Sequence, residues 1–326
     1  MKMRSMPRGT LFTALPFVVV AALAAGIALA GYIANPYPIA DPTRANASTP
    51  PSTVAPIAAD TASPAASTAA PTKAAGSNDA VEMLRVHNGL RAAVGAPAVR
   101  GDDRVTAAAQ HHAEYLARAG AIGHDETPGD PGFTGATVRD RLAAQGYTDA
   151  TASEVAASSD SGTEDVRFLW DLPYHRLGLM HPHAVVAGWG HADIAGHTAT
   201  VGVIVFDFTA TAPDRVRSPA AGQHVAGSWP GQESPDALPA GASRPVGYPV
   251  MVVYSGARPV DLRVAQITDV DGHDLALSVV PQIYERDYVA IVPAAPLSAG
   301  AKYHVRLALS VAGTDTLDEW DFETEP

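Results

Sequence analysis

The chain has 326 residues, 22 Lys and Arg against 34 Asp and Glu for a net charge of −12, and no cysteine. That length allows about two domains, and the acidity works against a nucleic-acid partner or an anionic membrane surface. The missing thiols exclude disulfides, thiolate zinc sites, iron–sulfur clusters and a cysteine nucleophile. Any metal must be held by His, Asp or Glu, and any nucleophile must be oxygen or water.

In chain order, Lys2, Arg4 and Arg8 precede an uncharged stretch from Leu11 to Ile33. Residues 1–34 therefore read as a signal peptide or a membrane anchor. Ala28-Leu29-Ala30 offers a cleavage site, while the apolar run approaches the length of a spanning helix. Either way the remainder is expected outside the cytoplasm. Residues 35–78 are almost all Ala, Pro, Thr and Ser, a composition that cannot bury enough surface to offset chain entropy and predicts a disordered tether.

From 79 to 212 the pattern predicts helices, then strands. Asp79 can cap a helix over DAVEMLRVHNGLRAAVG, with Val81, Leu84 and Leu90 near helical spacing and Gly95 as its stop. DDRVTAAAQHHAEYLARAG places Val105, Ala109, His112 and Leu116 on one face. ATVRDRLAAQGY and TEDVRFLW predict a third and a fourth helix, and Trp170 is expected to anchor the fourth in the core. AVVAGWGHA and TATVGVIVFDF have strand character, the second apolar on both faces, as for a strand covered by helices on both sides. A Pro/Gly/Ser-rich run over 213–246 reads as a spacer. Residues 247–326 then give YPVMVVYSG, LRVAQITDV, LALSVV, YVAIVPA, YHVRLALSV and EWDFETE between turn signals, which predicts a small β-sandwich with Trp320 packed in its last strand.

No G-x-S-x-G elbow, H-E-x-x-H pair, S-x-x-K or Gly-rich phosphate loop occurs. The remaining candidates are His124, Glu154, Glu164 with Asp165, and His175. His112 reads as a hydrogen-bonded core histidine and His181-Pro182-His183 as a loop turn. Asp269 to Asp274 resembles a calcium loop but lacks the downstream glutamate, so it reads as a hairpin turn.

The ordered set Asn88 and Arg91, His112-Ala113, His124, Arg141 to Tyr147, Glu154, and WDLPYHRLGLMHPHAVVAGWG resembles the CAP superfamily, also called the SCP domain, over about 79–210. In that last segment His175 stands 13 residues before Gly188, as in the bacterial form of the motif. The C-terminal strands are similar, more loosely, to the immunoglobulin-like modules that follow some bacterial CAP domains. The resemblance implies an α+β chain: a CAP-type α-β-α sandwich followed by a small β-sandwich, preceded by an N-terminal apolar helix and a disordered linker. It also implies a cleft lined by two histidines and two glutamates that can hold zinc or another divalent ion. His124 and His175 match the histidines and so become the candidate metal ligands. Glu154 matches the first glutamate and is the candidate general base. The place of the second glutamate is Pro173, which leaves Asp171 or Glu164 as stand-ins, and Val155 replaces the asparagine that usually follows the first. The function implied is an exported cell-envelope binding module for a lipid, peptide or wall component, without a defined catalytic activity. The alternatives are a metal-dependent hydrolase or protease using His124, His175 and Glu154, and a structural or adhesive surface protein.

Overall fold

The computed structural model describes residues 76–256 and 258–326. The apolar segment 1–34 and nearly all of the 35–78 tether lie outside the described residues. Among the described residues no helix is long and apolar enough to cross a membrane.

Five helices and three strands make the first half of the described residues: α1 (Gly76–Ala93), α2 (Asp103–Ala119), α3 (Val138–Ala144), β1 (Thr151–Ala157), α4 (Gly162–Asp171), α5 (Pro173–Met180), β2 (Ala184–Ile194) and β3 (His197–Phe206). The strands form one antiparallel sheet in the order β1-β3-β2. Residues of β3 alternate between two cores. Val201, Val203 and Val205 pack with α2 and α3, while Ile204 and Phe206 pack with α1, α4 and α5. The central strand is thus buried on both faces, and the expected α-β-α sandwich forms.

Local chemistry sets these elements. Asp102 caps α2 by accepting the Arg104 amide, and Gly120 ends it at φ 61, a left-handed conformation that costs glycine little. In β2 the sequence Gly188-Trp189-Gly190 lets α2 approach closely. A Cβ at Gly188 would collide with the Val105–Thr106 backbone, and one at Gly190 with Ala109–Gln110. Trp189 fills the opposite face, over Gly202 of β3.

Helix α1 departs from expectation. Val81 is 68% exposed, and the buried face carries Met83, Val86, His87 and Arg91. An apolar count misplaces this face because two of its buried members are polar. His87 Nε2 contacts the Leu179 carbonyl at 2.9 Å, and Arg91 donates to Pro97 O, Leu179 O and His181 O. Asn88 brackets Val99 through both backbone groups. The Asn88/Arg91 pair is therefore a strut between α1, the following loop and the end of α5.

The second half is a β-sandwich of two four-stranded sheets. β4 (Arg215–Ser218), β6 (Val250–Tyr254), β9 (Tyr288–Pro293) and β8 (Leu277–Val279) form one. β5 (His224–Val225), β11 (Thr314–Thr324), β10 (Lys302–Val311) and β7 (Val260–Thr268) form the other. Their facing side chains, among them Val250, Val252, Ile291, Val305, Leu307, Trp320 and Phe322, make a core of their own.

The stretch 213–246 is not a spacer. It supplies β4 and β5, pairs Trp229 with Val246, and buries Val216, Val225, Trp229, Ala237, Leu238 and Val246. Its Pro/Gly composition conceals this because the buried residues are scattered along an irregular path with no period to detect. The core beneath α1, α4 and α5 continues through these residues into Met251, Val253, Tyr288, Ala290 and Val292, so the two halves share one apolar interior. Arg176 pins the joint. Its buried guanidinium donates to the Trp170 and Asp171 carbonyls, to Pro249 O and to Ser218 Oγ, and lies 4.7 Å from the centre of the Tyr248 ring.

Candidate functional site

Glu154 lies in the middle of β1, opposite Val203, and shares strand parity with Ala152 and Ala156, which face α2 and α3. On that face α3 brings Arg141, whose Nη2 reaches Glu154 Oε1 at 2.9 Å and Oε2 at 2.7 Å. The same guanidinium donates to the carbonyls of Gly135 and His124. His124 Nδ1 stands 3.1 Å from Glu154 Oε1, and His112 Nε2 stands 3.4 Å from it. The other ring nitrogen of His112 meets Glu126 at 3.0 Å. Glu126 in turn accepts the Thr134 and Gly135 amides and so shapes the loop before α3.

Burial by itself would raise the Glu154 carboxyl. The Arg141 guanidinium, followed by His112 and His124, outweighs it and holds the group at about 2. Glu154 is therefore a fixed anion at neutral pH, with both oxygens occupied. His112 is the core histidine the sequence suggests, and it also forms one wall of this network.

His175 belongs to a second network. Its Nδ1 lies 2.8 Å from Oε1 of Glu233, which also accepts the backbone amides of Tyr174 at 2.9 Å and of His175 at 3.1 Å. Pro173 opens α5 with no side-chain cap of its own, so Glu233 supplies acceptors for the first turn. The Glu233 side chain is fully buried. It comes from the 213–246 stretch, where sequence reasoning placed no site residue. The available signal was Trp229 four residues earlier, since a tryptophan in a supposed spacer argues for burial.

The two stand-in acids go elsewhere. Glu164 is 70% exposed in the first turn of α4 and faces Arg167 at 3.7 Å. The Asp171 carboxyl, pushed up by burial against the opposing pull of Arg176, lies with Arg176 and Tyr248 in the joint between the halves. Neither contacts His175. His181 and His183 are buried at the same joint, His181 beside Asp287 and His183 accepting the Gly256 amide. Their loop-turn reading holds, with an added role in docking.

His124 and His175 have matching environments. Each side chain is 14% exposed and has Nδ1 on a buried carboxylate. Since a carboxylate only accepts, Nδ1 carries the proton, and in the neutral ring Nε2 is left as acceptor. Carboxylate–imidazole pairs of this kind are also the ones that orient metal-binding histidines in general. His124, Glu154 and His175 do not themselves form a three-donor cluster. Among the described residues the single group of three or more His, Asp or Glu donors within 4.8 Å of one another is Asp269, Asp271 and His273. There Asp269 accepts the amides of Asp271 and His273, the geometry of the expected turn.

The model of the CAP family, described as the cysteine-rich secretory protein family, matches residues 84–208. Among solved structures, an extracellular SCP-domain protein from Bacillus anthracis is 17% identical, with 40% of this chain and 41% of that one covered and a TM-score of 0.34. An outer surface protein from Borrelia burgdorferi is 17% identical, with 40% and 93% covered and a TM-score of 0.35. CopC from Methylosinus trichosporium is 18% identical, with 34% and 89% covered and a TM-score of 0.24. No curated protein matches the chain. The segment that the family model matches carries Asn88, Arg91, His124, Arg141, Glu154 and His175, and it is built into one core with a C-terminal β-sandwich.

Proposed function

We propose that this is an exported cell-envelope protein whose CAP domain binds a ligand, a lipid, peptide or wall component, through His124 and His175. The basic-then-apolar N-terminal sequence supports export, with 1–34 acting as leader or anchor and 35–78 as tether. The observation that carries binding over hydrolysis is the state of Glu154. The hydrolase reading needs Glu154 free to take a proton from water at neutral pH, whereas Glu154 is held at about 2 and clamped by Arg141. The histidine Nε2 atoms remain as acceptors for a ligand hydroxyl, amide or ammonium, or for a divalent ion. Zinc or a similar ion, when bound, would supply a Lewis-acidic centre for an anionic ligand group. The adhesive reading, in which the site is vestigial, has less support because a buried glutamate is spent on orienting His175.

The test is native mass spectrometry of the full chain purified from an envelope-exporting host, alongside His124→Ala and His175→Ala. A co-purifying hydrophobic or peptide species in the wild type that is lost in both variants is the expected result. Chelator-sensitive hydrolysis abolished by both substitutions would replace binding with catalysis.

A further inference from the structure

We propose that Glu233 is the second acid of the CAP site, a positioning residue delivered by the C-terminal half that fixes His175 with its proton on Nδ1 and Nε2 open to ligand. This rests on the reading of His124 and His175 as the ligand-contacting pair.

The CAP segment offers His175 no carboxylate of its own. Pro173 occupies the place from which one is expected, Glu164 points to solvent beside Arg167, and Asp171 is engaged with Arg176 and Tyr248. Glu233 fills that role from outside the segment. A buried carboxylate is costly unless its lone pairs are satisfied. Oε1 takes three donors: two amides at the start of α5 and the imidazole Nδ1. Oε2 is buried with no partner among the described residues. Capping alone does not explain this residue, because a short Ser, Thr or Asp at the helix start satisfies the same amides without an anion carried in from 58 positions away. The contact beyond capping is the one to the ring nitrogen. It reproduces the relation of Glu154 to His124, so the two histidines are held by equivalent bonds from different halves of the molecule.

The setting around Glu233 suits an anion that must stay oriented. Tyr174 and Tyr284 meet edge to face at 5.3 Å, and the hydroxyls of Tyr174 and Tyr288 both donate to the Pro281 carbonyl. The Glu233 charge acts on Tyr174, Tyr284 and Tyr288 alike, which places all three tyrosines in its neighbourhood.

The experiment uses the full chain labelled with nitrogen-15 at histidine, above the imidazole titration range, with His175→Ala assigning the resonance. Long-range proton–nitrogen correlation should show His175 protonated at Nδ1 in the wild type. Glu233→Gln retains the acceptor oxygen and should keep that tautomer. Glu233→Ala should shift the ring towards protonation at Nε2 while leaving His124 unchanged. A wild-type His175 protonated at Nε2 overturns the proposal, and this result needs no variant to fold. A folded Glu233→Ala protein with an unaltered His175 tautomer overturns it as well. Titration with zinc alone separates the two layers of inference. Affinity about tenfold weaker in Glu233→Ala is expected, as for loss of a carboxylate that orients a metal-binding histidine. Absence of zinc binding in the wild type would remove the ion from the functional reading while the tautomer still decides the role of Glu233.

Discussion

On one face of the β1-β3-β2 sheet, α2 and α3 seal a core drawn from residues 105–205, whereas on the other face the core under α1, α4 and α5 runs on into residues 216–292. The histidines follow the same division. His124 is held by Glu154 from the strand beside it, and His175 by Glu233 from the neighbouring half. One face of the CAP fold is thus self-sufficient, and the other is completed from outside. Without cysteine, a crosslink cannot perform that completion, and burial performs it instead.

The largest test of this contrast removes everything after residue 212. That deletion strips Val216, Trp229, Leu238, Met251 and Tyr288 from the shared core, takes the Ser218 and Pro249 acceptors from Arg176 and leaves the Tyr174 and His175 amides without Glu233. Each large side chain lost from a core costs about 2–5 kcal/mol, and a domain has only about 5–15 kcal/mol in hand. The truncated chain should therefore fail to give a cooperative thermal transition by circular dichroism. A truncated domain that melts like the full chain would show that both faces are independent.

A smaller effect comes from the self-sufficient face. Arg141→Ala leaves Glu154 and Glu126 without their buried cation and should cost about 3–5 kcal/mol in urea denaturation of the full chain. The α1, α4 and α5 face should be little affected, so tryptophan fluorescence of buried Trp170 and Trp189 should report native packing until the global transition. Loss of that signal ahead of the main transition would mean the two cores communicate closely.

The smallest effect is set by pH. Glu154 lies below its ordinary value in the folded chain, so its contribution is complete above about 4.5 and is lost as pH falls towards about 2, amounting to about 3 kcal/mol. Burial first, and Arg91 second, hold the His87 ring down to about 3. The unfolded chain then takes up a proton below about 6.5 that the folded chain does not, and stability falls over that interval. Glu285, pushed up to about 8 by burial and Asp287, has the opposite slope between about 4.5 and 8. Comparison of Glu154→Gln with wild type isolates the acid limb in urea melts from pH 5 to 2. An unchanged slope would mean that Arg141 does not set the charge of Glu154.

Much of the architecture was legible in the sequence because it rests on period and punctuation. Val105, Ala109, His112 and Leu116 share a helical face, β3 is apolar on both sides, and the C-terminal strands fall between the marked turns. Motif order singled out His124 and Glu154 separately, and their contact appears only in the structure. What escaped has a common physical cause. The buried face of α1 includes His87 and Arg91, whose polar groups are satisfied only by carbonyls about ninety positions away. Glu233 lies in a segment without periodicity, and its partner is 58 positions distant. Arg176 reads as one more motif residue until its four acceptors, two of them across the joint, are known. Hydrophobic patterning detects apolar faces, and it is blind to polar groups whose burial depends on distant acceptors.

The bond between His175 and Glu233 also links two equilibria. Docking of the 213–246 stretch positions the ring, so a ligand that prefers His175 in that state must tighten docking by the same free energy that docking adds to its affinity. Occupancy of the site and closure of the joint would then be two readouts of one coupling. The chain segment of least regular composition would be the one that senses the ligand.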